Sequence, residues 1–256
     1  MKQKKEHDYY DQIKDWNFDM FEIETESLTN WELEDELAKI VTSESKVLDL
    51  GTGGGEKVLK FPPCKEILGT DFSEEMIKTA KRNLKEFGRD DVTFRIMDNL
   101  KMDVEDNYYD VVVARHTIID PKQIIRCLKP GGYLLVRGVD QYDCHSLKLV
   151  FGRGQAHKDS KPISIIDYEN ILNAGFSDVE LIPIFEREYF KNRFLFKEFL
   201  KKVPIIDDFS EIEESHKDFY SRDLEDDKLD EYISNNTENG KIKLLRRYYG
   251  IVARKK

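Results

Sequence analysis

Apolar positions along the chain gather in short runs that alternate with stretches of helical period. Lys46-Val-Leu-Asp-Leu50 and Glu66-Ile-Leu-Gly-Thr70 are separated by a glycine-rich turn and the breaker Pro62-Pro63, and both read as buried strands. From Ser73 the period changes: Met76, Ile77, Ala80, Leu84 and Phe87 recur at helical spacing, with Glu74 and Glu75 in the first turn and Gly88 at the end. This predicts a helix with Ser73 as its N-cap. Val92–Met97 and Val111–Ala114 read as strands, followed by a helix opened by Asp120-Pro121, with Asp120 as N-cap, and stopped by Lys129-Pro-Gly-Gly132, then a strand over Tyr133–Val136. Such alternation implies an open, doubly wound α/β domain, a mostly parallel sheet with helices on both faces.

Beyond the fifth strand the pattern loosens into a loop with Gly152-Arg-Gly154, a helix from about Asp167 to Ala174, a strand near Val179–Phe185 and a last strand, Tyr248–Ala253. The stretch between those two strands is too long for a hairpin loop, and Phe194, Leu195, Phe199 and Leu200 make part of it amphipathic. It reads as a helical insert. At the other end Thr29-Asn-Trp-Glu32 has the form of a capping box opening a helix with Leu33, Leu37, Ile40 and Val41 inward. Tyr9, Tyr10, Trp16, Phe18 and Phe21 make the first residues too aromatic for a free tail. The expected organisation is an N-terminal helical cap over 1–43, a core over 44–190, an insert over 191–247 that serves as a lid, and a last core strand over 248–256.

Composition narrows the picture in two ways. Of the 256 residues 39% are hydrophobic, enough for a sizeable core, and no apolar run approaches the roughly 20 residues a membrane helix needs. The chain is expected to be soluble and cytoplasmic, with no membrane partner. Cys64, Cys127 and Cys144 show no Cys-x-x-Cys spacing, so neither a disulfide framework nor a metal site is expected. The net charge of −10 is uneven: residues 1–40 carry −7, residues 207–231 carry −9, and the remainder is +6. Two acidic segments therefore flank or interrupt a mildly basic middle.

The chemistry concentrates in Asp49-x-Gly51-x-Gly53-x-Gly55, placed where a strand gives way to a helix and where glycines allow a tight turn and a close ligand approach. Asp71 ends the second strand 20 residues past Gly51, where a carboxylate can accept hydrogen bonds from ribose hydroxyls. A dinucleotide fingerprint would carry Gly or Ala where this chain has Glu56; an acidic group there repels a pyrophosphate and argues against NAD. Val47-Leu-Asp-Leu-Gly-Thr-Gly-Gly-Gly55, Gly69-Thr-Asp-Phe-Ser-Glu-Glu-Met76, Met97-Asp98 and Leu128-Lys-Pro-Gly-Gly132 together resemble the class I S-adenosylmethionine-dependent methyltransferases. The resemblance spans about residues 44–140. It implies a seven-stranded, mostly parallel sheet with an antiparallel final strand, and S-adenosyl-L-methionine as cofactor with S-adenosyl-L-homocysteine as product. By that resemblance Gly51 and Gly53 pass the methionine part, Asp71 holds the ribose, Phe72 and Met76 border the adenine, and Met97 and Asp98 contact it. Asp49, Thr52, Gly55, Asn99 and Arg115 complete the expected cofactor set.

The acceptor is less legible. The segment after the fourth strand, Ala114-Arg-His-Thr117, lacks the Asn/Asp-Pro-Pro-aromatic signature of amino methyltransferases of bases, and Cys64 lies too early for a cytosine nucleophile. Cys64 reads as a small buried residue, whereas Cys144 falls near the expected cleft. His116 is the candidate general base, since its unperturbed pKa lies near working pH, although the pattern by itself favours a simple packed or hydrogen-bonded histidine. Tyr10, Trp16, Asp140, His145 and Arg153 are the candidate acceptor residues, Arg153 as a clamp for a carboxylate or phosphate or as an ordinary turn residue. A small-molecule acceptor methylated on N or O is preferred, because acidic flanks disfavour nucleic acid. The basic residues Lys241, Lys243, Arg246, Arg247, Arg254, Lys255 and Lys256 argue the other way, so transfer to RNA or protein, and cofactor binding without catalysis, stay open.

Overall fold

A computed structural model describes residues 18–206 and 224–256. After a single 3-10 turn at Asp19–Phe21, the elements in chain order are β1 (Glu24–Ser27), α1 (Leu33–Ile40), β2 (Lys46–Leu50), β3 (Glu66–Asp71), α2 (Glu74–Phe87), β4 (Val92–Ile96), β5 (Tyr109–Arg115), α3 (Pro121–Cys127) and β6 (Leu128–Val139). There follow α4 (His145–Phe151), α5 (Ile163–Asn173), β7 (Ser177–Phe190), α6 (Arg193–Lys202), α7 (Asp226–Asn235), β8 (Thr237–Glu238) and β9 (Lys241–Arg254). One sheet runs β1-β7-β9-β6-β5-β2-β3-β4, with β8 paired to β9. β2 to β6 pair in parallel, and β9 lies antiparallel between β6 and β7.

Alternation along the central strands divides the core. Leu48, Leu50, Val112, Ala114, Leu134 and Val136 face Ile124 of α3 and Ile171 of α5, whereas Val47, Ile67, Val111, Val113 and Leu135 face Leu33 and Leu37 of α1 and Ile77 and Ala80 of α2. A third cluster joins Phe21, Phe190, Phe196, Phe199, Leu229 and Tyr232 beyond the sheet's antiparallel end. The helix expected after Ser73 is present: the Ser73 hydroxyl accepts from the Met76 N–H and Gly88 takes a left-handed φ of +80° at the C-cap. Asp120 caps α3 as expected, accepting from the Lys122 and Gln123 amides.

Several expectations are corrected. The last two long strands each have 14 residues rather than about seven, and β9 takes in residues 241–247 that the pattern gave to the insert. Glu186, Glu188 and Arg246 fall outside the expected strands, but they lie within β7 and β9, buried in ion pairs with Arg137, Asp143 and one another. The N-terminal region is not wholly helical: β1 adds a strand to the β7 edge. No capping box forms, because the Thr29 hydroxyl lies by the Phe185 N–H at 3.4 Å and α1 begins after an uncapped Glu32. Phe194 is 69% exposed, and Phe196 takes the inward position beside Phe199 and Leu200. α5 starts at Ile163, four residues early, and β6 already runs through Lys129-Pro-Gly-Gly132. Among the described residues no helix is long and apolar enough to cross a membrane.

Candidate active site

The sheet order contains one topological switch. The chain passes from β2 outward through β3 and β4, then returns to β5 on the other side of β2, so the loops at the carboxyl ends of β2 and β5 diverge and open a crevice. Open α/β sheets take their ligands at such a point.

On the β2 side the glycine loop is held tightly. Gly51 and Gly55 have left-handed φ of +69° and +81°, and an added Cβ would lie 2.6 Å from Thr117 and 2.9 Å from the Phe94 ring, so neither position admits a side chain. The Gly53 N–H donates to Asp71 Oδ2 at 3.0 Å, the Ser73 N–H donates to Asp71 Oδ1 at 2.9 Å, and the Thr52 N–H donates to the Thr70 carbonyl at 2.8 Å. The Asn99 amide donates to Thr117 Oγ1 at 3.0 Å and to the Ile118 carbonyl at 3.3 Å. The structure thus joins the loops that follow β2, β3, β4 and β5. Within them Asn99 Oδ1 is buried with no hydrogen-bond partner among the described residues, a costly state that a bound polar ligand would relieve.

Asp49 lies buried at the base of this loop. Burial pushes its carboxyl up to about 7, with the nearby Thr52 hydroxyl and Arg115 pulling the other way. The loop does not open a full helix: a 3-10 turn of three residues, Val58–Lys60, follows, because Pro62-Pro63 leaves no length for more. The expectation that a ligand meets a helix N-terminus here is corrected, and with it the premise that Glu56 guards such a terminus. Phe72 is half-buried and Asp98 is exposed, its Oδ1 accepting from the Leu100 N–H, whereas Met76 and Met97 are buried and offer a ligand little surface.

On the β5 side His116 follows the strand with a φ of +49° and donates its N–H to the Arg137 carbonyl at 2.8 Å. Its imidazole stacks on Tyr248, centroids 5.4 Å apart and planes 11° apart, while the residue as a whole is exposed. The surrounding protein strips part of its hydration, and Arg137, Arg115, Arg246 and Lys57 add positive charge, so its pKa is held well below the ordinary value. Behind it runs a row of ion pairs. Arg115 donates to Glu34 at 2.7 Å, Arg137 bonds Glu186 and Glu32, and Arg246 donates to Asp143 and to Glu188, both at 3.0 Å. Arg137, Asp143, Glu186, Glu188 and Arg246 are all buried. Arg115, expected at the cofactor, is engaged in this row.

The acceptor candidates disperse. Asp140 lines two cavities of about 90 and 190 Å³ beyond β6, its oxygens accepting from the Tyr142 N–H and the Ser164 hydroxyl. Neither cavity touches the glycine loop. His145 is exposed beside Tyr142 and His157, and Arg153 donates to the Ile206 carbonyl and to Glu225, tying α7 to the loop after α4. Cys144 is buried in the third apolar cluster instead of facing the cleft, and Phe18 packs near Phe21 and Phe199. Tyr9, Tyr10 and Trp16 lie outside the described residues. Sequence reasoning missed Arg137, Glu186, Glu188, Arg246 and Tyr248. The period-2 spacing of Glu186 with Glu188, and of Arg246 with Tyr248, was the available signal.

Residues 41–173 match the family described as Methyltransferase domain. The chain is 31% identical over 108 residues to YcgJ of Bacillus subtilis, an uncharacterized methyltransferase, covering 39% of this chain and 42% of that protein. It is 31% identical over 97 residues to a demethylmenaquinone methyltransferase of Lactococcus lactis, covering 34% and 38%. A Listeria monocytogenes ribosomal protein L11 methyltransferase is 30% identical over 102 residues, covering 37% and 32%. The alignments thus span less than half the length of these curated relatives. The solved structure of YcgJ shares the fold at 18% identity with a TM-score of 0.57, covering 88% of this chain and 97% of that one. The glycine loop, its tie to the end of β3 and the switch-point crevice all fall within the matched segment, and this chain belongs to the methyltransferase-domain family.

Proposed function

We propose that the protein is an S-adenosylmethionine-dependent methyltransferase that methylates an N or O atom of a small molecule. The observation that carries the cofactor reading is the junction of the Gly53 amide with Asp71 beside Asn99 Oδ1, a buried polar atom with no partner among the described residues. Gly51, Gly53 and Gly55 would pass the amino-acid portion, Asp71 the ribose, and Phe72 and Asp98 the base. Asp49 below the loop suits a cationic amine, which would draw off the proton that burial favours. When bound, the cofactor supplies an activated methyl group. The protein's share is then to orient the acceptor, exclude water and receive a proton. His116, unprotonated at neutral pH at the carboxyl end of β5, is the group that receives it, with α6 and α7 from the expected insert as the lid.

The small-molecule reading draws on the fate of the basic residues that favoured RNA. Arg246 is buried in ion pairs, Lys241 and Lys243 pair with Glu24 and Glu238, Lys255 donates to Asn107 and two carbonyls, and Arg247 lies over the rings of Tyr142 and Phe185. Around His116, five carboxylates, Glu32, Glu34, Asp143, Glu186 and Glu188, stand against three arginines. The arginines beside His116 are thus already paired with carboxylates instead of standing free for phosphates.

Incubation of the protein and methyl-labelled cofactor with cell extract split into small-molecule, RNA and protein fractions should label the first. Label in either macromolecular fraction overturns the acceptor class, and tight cofactor binding with no label anywhere favours binding without catalysis. His116→Ala should lower kcat by about 10²–10⁴-fold with cofactor affinity intact. Because the imidazole pKa is depressed, the wild-type rate should fall with acid only well below pH 6.5, and the variant should lack that limb.

A further inference from the structure

Tyr248 pairs in register with Val139, the last residue of β6, and with Ile184 of β7, so it reaches the carboxyl edge of the sheet from a strand instead of a loop. The His116 imidazole lies on its ring, and the guanidinium carbons of Arg137 and Arg246 lie 4.6 and 5.0 Å from the same centroid. Neither arginine is loose. Arg246 is fixed by Asp143 and Glu188, and Arg137 by Glu186 and Glu32, most of these groups being buried. The ring therefore cannot withdraw without disturbing two buried ion-pair sets. His116 itself has a left-handed backbone that costs a non-glycine residue energy, and its amide is tied to Arg137. Backbone and ring are both constrained, yet the residue as a whole is exposed.

We propose that Tyr248 is the positioning residue for His116, its ring presenting the imidazole in one orientation for the proton transfer that accompanies methylation. This rests on the reading of His116 as base given above. The proton leaves the acceptor's N or O atom, which keeps the bonding electron pair, for the lone pair of an imidazole nitrogen, and then passes to water. Arg137, Arg115, Arg246 and Lys57 oppose the cationic imidazolium, while Glu32, Glu34, Asp143, Glu186 and Glu188 temper them through their pairs with the arginines. An imidazole of low basicity depends on orientation for its effect. Tyr248 is not a substitute base, because burial holds its phenol well above the ordinary value and keeps it neutral.

The test uses the full chain, histidine-labelled for NMR, and the small-molecule extract fraction with labelled cofactor. In the wild type the His116 ring protons should show the upfield displacement of an aromatic stack. Tyr248→Phe should keep both that shift and the labelling rate within about twofold, since the ring remains and the hydroxyl is not used. Tyr248→Leu should abolish the shift and lower the rate by about 10-fold, the scale expected of a misplaced catalytic group. In a His116→Ala background the same substitution should cost nothing further, because both act through one group. An unshifted His116 in the wild type, equal loss in the Phe and Leu variants, or additive losses in the double variant would overturn the proposal. If Tyr248→Leu does not fold, the wild-type shift and the Phe variant still decide. Failure of the base reading is distinct: His116→Ala then retains full rate although the wild type shows the stacking shift.

Discussion

The two halves of the sheet are built by different physics. In β2, β3 and β5 the strands are short, parallel and largely buried among aliphatic side chains, and the ionisable Asp49 sits there without a buried ion-pair partner among the described residues. From β6 to β7 the strands are long and antiparallel, and Arg137, Glu186, Glu188 and Arg246 line one another's strands where apolar residues would otherwise pack. The first half holds a backbone loop in place by excluding side chains. The second holds aromatic and imidazole rings in place by pairing charges. Ion pairs cost more to bury than aliphatic groups, so their presence is weak evidence of added stability.

The largest expected effect tests that contrast directly. Arg246→Ala leaves Asp143 and Glu188 buried without their counter-ion and should cost about 3–5 kcal/mol in denaturant unfolding. Arg246→Met with Glu188→Met and Asp143→Asn should recover most of it, since no buried charge is then left unpaired. A triple variant as unstable as the single one would mean that the pairs contribute stability beyond mutual compensation.

In the other half the unpaired charge is itself the burden. Burial raises Asp49 from an ordinary 3.8 to about 7, so the folded state binds an extra proton between those values and loses stability as pH rises through that window. Asp49→Asn should change little at pH 4 and stabilise by up to ~4 kcal/mol at pH 8 in the cofactor-free protein. Equal unfolding free energies for variant and wild type at both pH values would remove Asp49 from this role.

Asp71 carries a smaller load, on binding. Asp71→Ala should weaken S-adenosylmethionine by about 1.5–3 kcal/mol in calorimetry, the range for a hydrogen bond to a charged group. Unchanged affinity in a folded variant would move the ribose site elsewhere. The smallest effect concerns salt: for a small acceptor kcat/KM should vary only modestly from low to moderate ionic strength, whereas a steep fall with RNA as the labelled acceptor would overturn the small-molecule reading.

The contrast also explains which elements could be foreseen. β2, β3, α2 and the cap at Ser73 are local matters, in which hydrophobic period, N-cap and C-cap glycine all point the same way, and their boundaries are reproduced to within a residue. Thr29 misled because its hydroxyl sits near a strand amide 156 residues away, which local spacing cannot register. Phe194 and Phe196 are both compatible with one helical stripe, and only the packing of Phe190 and Tyr232 against Phe196 chooses between them.

By itself, the sequence determined the strand-helix order, the glycine loop and the place of Asp71 20 residues beyond Gly51, because steric limits and hydrophobic period act between near neighbours. It also placed His116 at a strand end. Only the tertiary structure decided that Glu186, Glu188 and Arg246 belong inside the sheet, that Arg115 is held by Glu34, and that Tyr248 lies against the imidazole. A charge is tolerated in the interior only beside its partner, and here each such partner lies far along the chain and is brought close by strand pairing.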